Sequence, residues 1–222
     1  KLDYPEYWEI YERYLYDKSR LLEAGVGLGK WANFFHDRGQ SIIGIDFSRV
    51  GIEKLKEHSP QLNVKFGDVT NIPFNNDDFD AYLSYGVLEH LENLKDLDSA
   101  ISEAFRVLQY GGVGFITIPN LNFLNKLYAI KNNLIYSNLL RRLFLRRPVE
   151  RHFFEYNYEP TFFKTLLERQ GFTVLEIVPE NVPLVLKRFK IFREPNTLVH
   201  DSKLNGFGKR VARWIVSKPS HS

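Results

Sequence analysis

The sequence predicts an α/β fold, a mostly parallel sheet with helices on both faces, and three observations carry that prediction. Short apolar runs alternate with amphipathic stretches over most of the chain. A loop with three glycines at alternate positions, "EAGVGLGK", directly follows the first apolar run. Acidic residues recur just beyond the ends of the next runs, which is where an open parallel sheet binds its ligands.

At 222 residues the chain suits one domain, 1–222, with elaborations. In "YPEYWEIYERYLY", Tyr4 to Tyr16, aromatic and aliphatic residues recur at three- and four-residue spacings, predicting a helix within an N-terminal segment 1–18. Such a stripe either caps a ligand or buries itself in the core. The expected strands are "RLLEA", "SIIGID", "NVKFGD", "DAYLSYG", "VGFITIP" and "TVLEIV", apolar enough to be covered on both faces. The expected helices are "KWANFFHDRG", "SRVGIEKLKEH", "NLKDLDSAISEAFRVL" and "EPTFFKTLLERQG", with Gly39, Gly111 and Gly171 as C-terminal caps.

Residues 120–159 are too many for a simple connection and carry helical patterning in "NFLNKLYAIKNNL", so a helical lid insertion is expected after the fifth strand. Beyond residue 180 the pattern loosens, and "GKRVARWIVSK" reads as a final helix.

Composition narrows the class. Cysteine is absent, which excludes a disulfide framework, a thiolate nucleophile and a cysteine metal site, and fits a reducing cytosol. No metal is expected. Methionine is absent too, so residues are expected ahead of Lys1. No apolar run approaches the ~20 residues of a membrane span, and the charged, tyrosine-rich start is not a secretory signal. A cytoplasmic protein is expected, with at most peripheral membrane contact. The net charge is only +3, yet "LLRRLFLRRPVER" holds five arginines among apolar residues. That segment either covers the substrate side with solvated arginines or docks on an anionic or lipid-linked acceptor.

Functional side chains should follow each strand: Glu23 and Gly25 after the first, Asp46 after the second, Asp68 after the third, Ser84 and Tyr85 after the fourth, Asn120 after the fifth. Acids there match hydroxyl, amino and cationic groups on a ligand. Asp46, about twenty residues past the loop, stands where a carboxylate takes both ribose hydroxyls of an adenosine. Asp68 is placed to accept from an adenine amino group while the Val69 amide donates to the ring. A dinucleotide fingerprint needs G-x-G-x-x-G, but the third glycine falls at Gly29, one residue early, and Lys30 takes its place. A phosphate loop, G-x-x-x-x-G-K-[ST], is also missing.

"LLEAGVGLG", "IIGIDFS", "GDVTNIPFNNDDFDAYLSYGVLEHLEN" and "EAFRVLQYGGVGFITIPN" resemble, in order and spacing, the successive motifs of class I S-adenosylmethionine-dependent methyltransferases, the small-molecule group in particular. The resemblance spans Arg20 to Asn120 and continues weakly through "HFFEYNYEPTFFKTLLERQGFTVLEIV". It implies a Rossmann-like sheet and S-adenosylmethionine as cofactor. By resemblance Glu23, Gly25, Gly27 and Gly29 would line its methionine and ribose side, and Asp46 with Phe47 its ribose. Asp68 and Val69 would hold the adenine, and Ser84 and Tyr85 would border the transferring methyl. The family's sheet usually ends in an antiparallel seventh strand. Nothing after "TVLEIV" reads as one, so that strand is expected beyond residue 222.

Methyl transfer from a sulfonium is an in-line displacement, served mainly by alignment and exclusion of water. A general base is needed only where the nucleophile must lose a proton, and the candidates are His90 in "LEHLEN" and His152 in "RHFFEY"; Glu89 reads as a helix-start residue. The expected partner is a small-molecule acceptor. Two alternatives stay open, an RNA-directed methyltransferase and an inactive S-adenosylmethionine-binding protein. Against nucleic acid, "SYGVLEH" lacks the Asn-Pro-Pro-Tyr-like motif of enzymes that methylate base amino groups.

Overall fold

The computed structural model describes residues 5–119, 156, 158–182 and 209–219. Seven strands, β1 (Arg20–Ala24), β2 (Ser41–Asp46), β3 (Asn63–Phe66), β4 (Phe79–Tyr85), β5 (Leu108–Pro119), β6 (Thr173–Val182) and β7 (Lys209–Ser217), form one sheet in the order β3-β2-β1-β4-β5-β7-β6. The neighbours from β3 to β5 pair in parallel, and β7 runs antiparallel to both β5 and β6. Strand order reverses between β1 and β4, so the chain leaves the sheet to opposite sides there and opens a crevice at the carboxyl ends.

Helices α1 (Pro5–Leu15), α2 (Lys30–His36) and α3 (Arg49–His58) lie on one face of the sheet. Helices α4 (Leu94–Val107) and α5 (Pro160–Arg169) lie on the other. Each side has its own buried cluster: Tyr11, Leu15, Trp31, Phe35, Ile52 and Phe115 on the first, Tyr82, Leu97, Ile101, Phe163 and Leu167 on the second. Buried residues at 97, 100, 101, 104 and 107 make the stripe that seats α4. Its start is fixed by Asn93, whose side chain accepts from the Asp96 amide at 2.9 Å. Likewise Ser48 caps α3 by accepting from the Gly51 amide at 3.0 Å.

Two expectations are corrected. The seventh strand is present, formed by the segment that reads as a terminal helix: residues 209–217 insert between β5 and β6, pairing Val113 with Ser217 and Pro119 with Val211. A strand fed by partners on both sides draws its order from them, and local sequence reports that poorly. Gly111 caps no helix. α4 ends at Val107 and β5 begins at once, while Gly111 sits at positive φ inside a register shift of β5, its amide donating to the Lys218 carbonyl. Of the two readings left open for the N-terminal stripe, Tyr11 and Leu15 follow the second and lie in the core. The insertion 120–159 lies outside the described residues except 156, 158 and 159, as do His152, Asn120 and the five arginines. No described helix is long and apolar enough to cross a membrane.

The end of β7 is fastened by charge. Lys218 is buried, its Nζ 2.6 Å from Asp77 Oδ1 and 2.9 Å from the Leu108 carbonyl, between the rings of Phe105 and Tyr110. Lys218→Met keeps the aliphatic stem and removes the charge. It should lower the urea midpoint by an amount worth about 1–3 kcal/mol, the value of hydrogen bonds to a charged group; an unshifted midpoint would show that the pair holds nothing together.

Candidate functional site

A cleft of about 740 Å³ lies at the carboxyl ends of β1, β2, β3 and β4, a volume typical of small-molecule sites. Its floor is the loop between β1 and α2. Gly25 and Gly27 line it, both at positive φ, a conformation costly for any residue with a Cβ. The two glycines serve different ends. A Cβ on Gly25 would stand 2.3 Å from a Val87 methyl, so that glycine lets the β4 loop close over it, whereas a Cβ on Gly27 would meet open space. Gly27 is therefore where a ligand can approach the backbone.

Asp46 ties the floor to the next strand. Its Oδ2 accepts from the Gly27 amide at 2.8 Å and its Oδ1 from the Ser48 amide at 2.9 Å, which fixes the carboxylate facing the cleft with lone pairs to spare. Phe47 follows, a cleft residue that is 72% exposed and packs only its edge of the rim against Phe66, 6.0 Å between ring centres. Asp68 is held by the Thr70 amide and hydroxyl, both at 2.8 Å to Oδ1, and lines the cleft beside Val69. This loop is braced from behind. Glu103 accepts from the Ile72 amide at 2.6 Å, and Arg106 donates to the carbonyls of Ile72 and Phe74 while pairing with Glu103. That pairing is the main reason the Glu103 carboxyl is held below its ordinary range.

Tyr85 and His90 complete the wall, with Gly86, Val87 and Leu91 between and beside them. His90 ends the 3-10 turn Leu88–His90. Tyr85 is stacked on Trp31, ring centres 4.7 Å apart, and its hydroxyl is 2.7 Å from that of Tyr11.

The structure thus brings Gly25, Gly27, Asp46, Phe47, Asp68, Val69, Tyr85 and His90 to one cleft; Gly29 and Ser84, also expected there, stand elsewhere, and Glu23 does not line it but is buried beneath its floor. Gly29 starts α2 in a left-handed conformation, and a Cβ on it would strike Leu55 at 2.6 Å, so it is a packing glycine between α2 and α3. Ser84 is fully buried on the α4 face of β4, beside Tyr82 and opposite Tyr85. Glu23 is buried beneath the loop, 2% exposed, on the α2 side. Thr70, Gly67 and Asp96 line the cleft without having been singled out in the sequence. Gly67 and Thr70 flank Asp68 and were legible by position; Asp96 reads locally as a helix-start residue and no more.

Glu23 has an unusual state. One carboxyl oxygen, Oε2, has no hydrogen-bond partner among the described residues. Burial drives its pKa up to about 8; a hydrogen bond from the Ala32 amide works against this and the charge of Asp46 adds to it. A buried acid with an open oxygen suits a cationic group on a ligand. No lysine or arginine is among the described lining residues, so no such side chain there answers the charge of a phosphate. Acceptors for a ribose diol, an acid with its amide neighbour for an adenine edge and a glycine floor fit S-adenosylmethionine.

Comparison with known proteins agrees. Residues 22–116 match the family model described as a methyltransferase domain. The chain is 31% identical over 100 residues to a probable S-adenosylmethionine-dependent methyltransferase of Mycolicibacterium smegmatis, covering 45% of this chain and 38% of that protein. It is 34% identical over 95 residues to a demethylmenaquinone methyltransferase of Streptomyces avermitilis, covering 42% and 39%. The chain thus spans about two fifths of the length of these curated relatives. Among solved structures, an S-adenosylmethionine-dependent methyltransferase of Methanosarcina mazei superposes with a TM-score of 0.71 at 20% identity, over 99% of both chains. One from Archaeoglobus fulgidus gives 0.63 at 19%, over 96% and 92%.

Glu23 makes a pH prediction with a definite sign. Its folded pKa is raised above the unfolded value of 4.5, so between pH 4.5 and about 8 the folded state holds a proton that the unfolded state has lost. Stability contributed by this proton is complete below pH 4.5 and declines as pH rises, by up to about 1.4 kcal/mol per pH unit through that window. Unfolding midpoints of Glu23→Gln should lack this decline; a variant with the same pH slope as the parent would rule the assignment out.

Proposed function

We propose that this chain is a class I S-adenosylmethionine-dependent methyltransferase, a reading supported by the match of residues 22–116 to a methyltransferase domain, and that it transfers a methyl group from S-adenosylmethionine to a small-molecule acceptor. The arginine-rich stretch 138–151 favours an acceptor that is anionic or lipid-linked. The observation that carries the reading is Asp46, a carboxylate locked by two backbone amides at the end of β2 and turned to a cleft that no lysine or arginine lines among the described residues.

When bound, S-adenosylmethionine supplies a methyl group on a positively charged sulfur, already activated for displacement. The chain's residues bind, orient and exclude water. Asp46 accepts from ribose hydroxyls, Asp68 and the Val69 amide hold the adenine edge, and Gly27 lets the backbone come close. Glu23 is the acid that favours an ammonium on the methionine portion. Tyr85 and His90 line the same cleft, where the acceptor must be aligned. His90 receives the acceptor's proton when the nucleophile is a hydroxyl or a protonated amine.

Calorimetric titration tests this. The parent should bind S-adenosylhomocysteine, and Asp46→Ala should lose at least tenfold in affinity, as expected when a buried or charged hydrogen bond is removed. His90→Gln should bind as the parent does but release less S-adenosylhomocysteine in an acceptor screen spanning anionic, lipid-linked and neutral small molecules. A folded parent that binds neither S-adenosylmethionine nor S-adenosylhomocysteine would overturn the proposal.

A further inference from the structure

We infer that Tyr11, on the N-terminal helix, is a positioning residue for the methyltransferase site, holding the side chain of Tyr85 where it lines the cleft through the hydrogen bond between their hydroxyls. The inference rests on the function proposed above and adds an element to it, because α1 lies outside the matched segment 22–116.

Tyr11 is 1% exposed. Its ring packs on Phe115 at 4.9 Å, edge-on to Phe35 at 5.3 Å and against Trp31 at 5.7 Å. Packing alone would be met by phenylalanine. A buried phenol needs a hydrogen-bond partner, and the Tyr11 hydroxyl has one in that of Tyr85, a cleft-lining residue, 2.7 Å away and 74 positions along the chain. Tyr85 is held from two directions as a result. Trp31, just after the glycine loop, fixes the plane of its ring; Tyr11 fixes its hydroxyl. The two contacts together fix the side chain of a cleft-lining residue at its ring and at its far end.

The helix is anchored independently at its other side. Tyr14 donates to Glu176 Oε2 at 3.1 Å, and Arg13 reaches the same oxygen at 3.3 Å, joining α1 to β6. This gives a control, since the Tyr14 hydroxyl also secures α1 and touches nothing described in the cleft.

The test is calorimetric titration of S-adenosylhomocysteine into the parent, Tyr11→Phe, Tyr85→Phe, the double variant and Tyr14→Phe, with unfolding midpoints of each. Tyr11→Phe should weaken binding about fivefold, the worth of one hydrogen bond. Tyr85→Phe should do the same, the double variant should be no weaker than either, and Tyr14→Phe should bind as the parent does. Tyr11→Phe with parental affinity, singles that multiply in the double variant, or an equal loss in Tyr14→Phe would each overturn the inference and leave the proposed function standing. A folded parent that does not bind would overturn the function and this inference with it.

Discussion

Everything at the site depends on β1 having a parallel neighbour on each side whose onward path goes to a different face of the sheet. Residues 20–24 pair with 41–45 on one side and 81–83 on the other. The chain leaving β1 and β2 turns into α2 and α3 on one face, and the chain leaving β4 leads to α4 on the other. Among the described residues no connection covers the gap between them, and the cleft is that gap. The hydrogen bond from the Gly27 amide to Asp46 converts this topological opening into a shaped floor, because it fixes the β1 loop against the β2 exit. Bracing of the 68–74 loop by Glu103 and Arg106 extends the same frame toward β3.

Legibility in the sequence followed the range of the interactions involved. β1 and β2 were readable to the residue, since a short apolar run bounded by polar residues is a local signal and buried parallel strands have little else. β7 was not. Arg210 and Arg213 stand three apart among apolar residues and imitate a helix face, and the partners that make the segment a strand lie about a hundred residues back in β5 and some thirty back in β6. At the site, Asp46 and Asp68 were found by their position after a strand. Ser84 was misplaced because successive residues of a strand point to opposite faces: with Tyr85 facing the crevice, Ser84 had to face α4. Gly29 was misplaced because a regular run of glycines invites a single explanation, while its neighbours divide the work between backbone closure, ligand approach and helix packing. Asp96 and the Tyr11–Tyr85 pair left no trace in the sequence, since both require knowing which side α1 and α4 occupy.

The electrostatics of the cleft are one-sided. Asp46, Asp68 and Asp96 line it, Glu23 lies beneath it, and among described residues no side chain of lysine or arginine answers them there. Nucleotide sites built for phosphate place a helix start and cations around the anion. Here acids face the ligand, and the deepest of them is held protonated by burial until something cationic can compensate it. The cost of keeping Glu23 in that position makes sense for a ligand that is a nucleoside at one end and a cation at the other.

That selectivity is the central claim, and competition calorimetry on the folded parent tests it most directly. S-adenosylmethionine and S-adenosylhomocysteine should bind, while ATP and NAD, which share the adenosine but carry phosphates, should neither bind nor displace them. Binding of ATP or NAD in preference to S-adenosylhomocysteine would contradict the account.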